Sequence, residues 1–62
     1  MRTIVFLIKV VHPNGSEDYF LERPEKSFND SGHAAEIVLK QMQEKEPSAY
    51  QILIRGYIWE KV

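Results

Sequence analysis

The chain has no cysteine, so no disulfide supports it. Its only imidazoles are His12 and His33, which leaves no ligand set for a closed structural zinc site. Absent cysteine is mild evidence for a cytoplasmic setting. No apolar run approaches the roughly 20 residues a membrane-spanning helix needs. The apolar stretch after Met1-Arg2 is broken by Lys9 and then by His12-Pro13-Asn14-Gly15, without a small-residue cleavage site, so it does not read as a secretion signal. There is no basic or acidic block. Eight Lys and Arg against nine Asp and Glu give a net charge of −1, which lacks the basic footprint of most nucleic-acid binders. Glycines are isolated, so no phosphate-cradling loop is present, and no nucleophile elbow or spaced carboxylate pair appears. These absences argue against catalysis, and nothing in the chain calls for a cofactor or a metal. At 62 residues the chain forms one domain, residues 1–62. Its core must be small, and regular packing or self-association has to support it.

What is present begins with Ile4-Val5-Phe6-Leu7-Ile8-Lys9-Val10-Val11, the most apolar and β-branched stretch. A strand from Arg2 to His12, apolar on both faces, reads as central in a sheet. Pro13-Asn14-Gly15-Ser16 is a turn signal. A two-residue Asn14-Gly15 turn and a four-residue Pro13–Ser16 loop give the same register, which places Val10 opposite Tyr19, Lys9 opposite Phe20 and Ile8 opposite Leu21. The second strand then spans Glu17–Arg23. One face would carry Phe6, Ile8, Val10, Tyr19 and Leu21. The other would carry Val5, Leu7, Lys9, Val11, Asp18, Phe20 and Glu22, with Lys9 paired to Asp18 and Glu22.

After a connector, Asp30 or Ser31 caps a helix. Ala35, Val38, Leu39 and Met42 form its apolar stripe, widened by Ala34, and it stops by Glu46 ahead of Pro47. A third strand runs from Ala49 to Lys61. Simple alternation puts Tyr50, Ile52, Ile54, Ile58 and Val62 on one side, and Leu53, Arg55, Tyr57, Trp59 and Lys61 on the other. Gly56 marks a bulge or a close approach of the helix; a rival reading breaks the run at Arg55-Gly56 into a small hairpin.

The order strand, strand, helix, strand implies an α+β fold of ββαβ type. A three-stranded antiparallel sheet in order 2-1-3 carries one helix on one face. One helix cannot cover both faces. The second face, with Val5, Leu7, Phe20, Leu53, Arg55, Tyr57, Trp59 and Lys61, is therefore expected to meet a partner. The expected function is a small non-catalytic, cytoplasmic protein-interaction module. It would be a regulator or inhibitor, of the kind phage and other mobile elements encode, acting by homodimerisation or by docking on a larger protein. The alternative is a nucleic-acid-binding module in which Lys9, Arg55, Tyr57, Trp59 and Lys61 stack bases and hold phosphates. His12 and His33 have no carboxylate partner set by spacing and read as bystanders. Glu17, Asp18, Glu22 and Glu25 read as an acidic guard on an edge strand.

Overall fold

A computed structural model describes residues 2–27 and 29–61, with the side chain of Arg2 excepted; the expected placement of Val62 lies outside these residues. The elements are β1 (Arg2–Val11), β2 (Glu17–Glu22), α1 (Ser31–Lys45) and β3 (Gln51–Lys61). The sheet has three strands in the order β2-β1-β3, both pairings antiparallel. This is the expected ββαβ architecture.

The helix is set by its cap and its stripe. The Asp30 carboxylate accepts a hydrogen bond from the Gly32 N–H at 3.1 Å, satisfying one orphan donor of the first turn. Ala34, Val38 and Met42 are buried, and they meet Ile4, Phe6, Ile8 and Val10 of β1 in a single cluster. Ala35 and Leu39 flank this line half-buried. At the far end the Glu46 N–H donates to the Met42 carbonyl at 2.8 Å.

The hairpin differs from expectation in one respect, with large consequences. The turn closes through His12 and Ser16: the His12 N–H donates to the Ser16 carbonyl, and the Gly15 N–H donates to the His12 carbonyl, both at 2.9 Å. Among the described residues only Gly15 has positive φ, at 88°. This is a three-residue loop, Pro13-Asn14-Gly15, with Gly15 in the left-handed position. The two-residue alternative needs positive φ at Asn14 as well. It also needs residue 13 to donate a ladder hydrogen bond, and proline has no N–H. The Asn14 side-chain oxygen further fixes the loop by accepting from the Ser16 N–H at 3.0 Å and the Ser16 hydroxyl at 2.8 Å.

The observed register therefore pairs Val10 with Asp18, Lys9 with Tyr19, Ile8 with Phe20, Leu7 with Leu21 and Phe6 with Glu22. A shift of one residue turns every β2 side chain to the opposite face. Asp18, Phe20 and Glu22 lie on the helix side, and Tyr19 and Leu21 on the open side, the reverse of the expected assignment. Lys9 consequently pairs with Glu17, at 3.0 Å, and not with Asp18 or Glu22. Asp18 instead reaches His12, whose Nε2 lies 2.8 Å from its carboxylate, so His12 does have an acidic partner.

Strand β3 holds the second correction. It pairs with β1 from Arg2↔Lys61 to Leu7↔Gly56, and then from Ile8↔Ile54 to Val11↔Gln51. Arg55 is the extra residue, a β-bulge within a continuous strand, so the hairpin reading does not hold. A bulge changes the phase of the alternation. Ile52 and Ile54 face the helix as expected, but beyond the bulge so do Tyr57 and Trp59, while Ile58 turns to the open side. A Cβ added at Gly56 would meet nothing within 4 Å, so no helix backbone approaches there.

The turn of Glu22 toward the helix brings a carboxylate to the core's edge, where it is 8% exposed. Lys45 donates to both of its oxygens at 2.8 and 2.7 Å. Gln41 donates to Glu22 at 3.1 Å and to the Arg23 carbonyl at 2.9 Å, and accepts from the Glu25 N–H at 2.7 Å. Gln41 thus ties the β2 exit to the helix at three points. Gln41→Ala strands these groups together and is expected to cost about 1–3 kcal/mol, read as a lower urea midpoint with an unchanged slope.

Candidate functional site

With the helix over one side, the other side of the sheet carries Val5, Leu7, Lys9 and Val11 from β1. The registers add Tyr19 and Leu21 from β2, and Leu53, Gly56, Ile58 and Glu60 from β3. No element of the described residues covers it. Leu7, Tyr19, Leu21 and Ile58 are exposed, Leu21 by 67% and Ile58 by 61%. These fractions are high for side chains lying side by side, because isolated exposed apolar residues are ordinary but contiguous ones are not. Val5, Leu7, Leu21, Gly56 and Ile58 line a shallow apolar groove of about 400 Å³. It is floored where Gly56 brings no side chain.

Two ion pairs lie on this face, one of them at the groove's rim. At the hairpin end Lys9 meets Glu17 at 3.0 Å. At the other end Arg23 donates from Nε and Nη2 to Glu60 at 3.1 and 2.8 Å. Arg23 follows β2 and Glu60 belongs to β3, so this pair spans the central strand. Both residues line the groove with Leu7, Leu21, Ile58 and Val5, and Val5 is 4% exposed although it lies on the uncovered side. Both pairs are open to solvent and contribute little stability. Within each pair the charges balance.

Of the residues expected to form this surface, Val5, Leu7 and Leu53 are on it. Phe20, Tyr57 and Trp59 are not. Phe20 borders Met42 and Lys45 of the helix. The Tyr57 ring is tilted against Phe6 at a centroid distance of 5.6 Å, although Tyr57 also borders the groove. Trp59 is half-buried and packed against the core cluster. Arg55 is exposed at the bulge, and Lys61 is exposed opposite Arg2. The expected alternation of aromatics with cations on one sheet face is thus divided between two sides of the molecule. Tyr19, Leu21 and Ile58 were missed as face residues. The signal for the first two was Pro13, whose missing N–H decides the turn; for Ile58 it was Gly56, whose bulge resets the count.

Among the described residues, no group of three or more His, Cys, Asp or Glu is arranged to hold a metal ion, and no helix is long and apolar enough to cross a membrane. Comparison with known proteins finds no matching family, no matching curated relative and no matching solved structure.

Proposed function

We propose that this chain is a non-catalytic protein-interaction module whose contact surface is the uncovered sheet face, and that it acts as a regulator or inhibitor by homodimerisation or by docking on a larger protein through that face. One observation carries the reading: Leu7, Leu21 and Ile58 are exposed side by side around an apolar groove, on a face that no other part of the described chain covers. Removing such a face from water contributes about 25 cal/mol per Å². Its four charged side chains are paired with each other, which favours apolar contact over contact with a phosphate backbone. The catalytic classes gain no support either, since the groove's interior is aliphatic and its charged groups are paired with each other.

The test separates apolar contact from phosphate contact. Association through the face is expected to persist in 0.5 M salt, a condition chosen because phosphate binding falls steeply with ionic strength. Leu21→Lys or Ile58→Lys is expected to abolish it, because each buries an unpaired charge. DNA and RNA fragments are expected to show no retardation at low salt. Salt-sensitive retardation of either nucleic acid, unaffected by the two substitutions, would overturn the reading.

A further inference from the structure

We propose that the occupant of the open face is a second copy of this chain, stacked sheet on sheet about a two-fold axis that runs across the strands through the row Leu21–Leu7–Gly56. This rests on the reading of the face as a protein-contact surface and names its partner.

The argument comes from the register. Such an axis keeps each strand over its own counterpart and reverses its direction. Leu7 pairs with Leu21 on one side and Gly56 on the other, so this row meets itself. The row of Val5 and Ile58 then lies over the partner's row of Lys9 and Leu53. Ile58 stacks on the partner's Leu53, and Tyr19, opposite Lys9 in β2, lies over the partner's Arg23. The ends are complementary as well. The Lys9–Glu17 end comes over the partner's Arg23–Glu60 end. Glu17 approaches the partner's Arg23, and Lys9 approaches the partner's Glu60. Opposite charges meet along the rim while aliphatic side chains meet at the centre, the usual anatomy of a specific interface. A two-fold arrangement about a different row loses this match.

Area agrees. The molecule measures 40 × 16 × 16 Å, so its broad face presents roughly 600 Å² and a stacked pair buries on the order of 1,200 Å², the lower limit of specific interfaces. Aligned stacking of twisted sheets retains most of that overlap. The pairing also supplies what the chain lacks. Its buried apolar core is confined to the helix side apart from Val5, and a second layer on the bare face completes a two-sided core.

The absence of cysteine makes a clean test possible. Light scattering across a dilution series is expected to show twice the 7.3 kDa chain mass, falling to the single mass in about the micromolar range. Leu21→Lys or Ile58→Lys is expected to weaken pairing at least about thirtyfold while leaving circular dichroism unchanged, since both side chains are already largely exposed. With a bifunctional maleimide that spans the roughly 10 Å between stacked sheets, Leu7→Cys is expected to link to itself, and Ile58→Cys to link to Leu53→Cys when the two are mixed. Tyr50→Cys, 76% exposed and away from the face, is expected to stay unlinked. A wild-type monomer at every concentration would overturn the dimer and leave the docking reading standing. A dimer that survives both lysine substitutions, or that links through Tyr50→Cys and not Leu7→Cys, would overturn the dimer geometry and the open-face reading together.

Discussion

Phe6→Ala is expected to lower stability by about 3–5 kcal/mol and to leave much of the protein unfolded at room temperature. Phe6 is 1% exposed. It sits in the central strand between the helix and the Tyr57 ring, so its loss removes apolar transfer energy, an aromatic contact and packing on two neighbours at once. A chain of 62 residues has a total margin of only about 3–9 kcal/mol, comparable to the loss. Urea unfolding followed by circular dichroism measures it. A midpoint within error of wild type would mean that the core does not centre on β1.

Trp59→Ala is expected to cost about 2–3 kcal/mol of folding stability, less than a fully buried aromatic because the indole is half-buried, and to leave the strength of pairing between folded copies unchanged. The simple alternation of β3 implies the reverse, an exposed contact residue whose loss would abolish association and spare the fold. The bulge at Arg55 decides between them by turning Trp59 toward the core cluster. Denaturation and dilution measurements on the same variant separate the two outcomes. A variant as stable as wild type but monomeric would show that Trp59 belongs to the open face.

The architecture was legible because its signals are redundant. A doubly apolar first strand, a proline-bounded turn, a capped amphipathic helix and a final apolar strand leave one simple assembly, and the structure has it. The faces were not legible from alternation alone, because alternation carries no memory of where counting starts. One residue more in the turn loop reversed Tyr19, Phe20, Leu21 and Glu22. One bulged residue reversed Tyr57, Ile58 and Trp59. Both shifts had local chemical causes, the missing N–H of Pro13 and the weak strand preference of Gly56. Gln41 left no pattern at all, since a glutamine beside an apolar stripe looks like any surface residue until the β2 exit comes to lie against it. The open face itself was legible as a necessity, one helix being unable to cover two sides, while of its membership Val5, Leu7, Lys9, Val11 and Leu53 followed from alternation and the β2 residues and those beyond the bulge did not.

The central claim is that the bare side of the sheet is the contact surface, and methyl chemical shifts recorded on dilution test it most directly. Leu7, Leu21, Leu53 and Ile58 are expected to move together along one binding curve, with Ile37 and Leu39 of the helix unchanged. Movement of the helix methyls with the sheet methyls still would place the contact surface on the opposite side of the molecule and contradict the account.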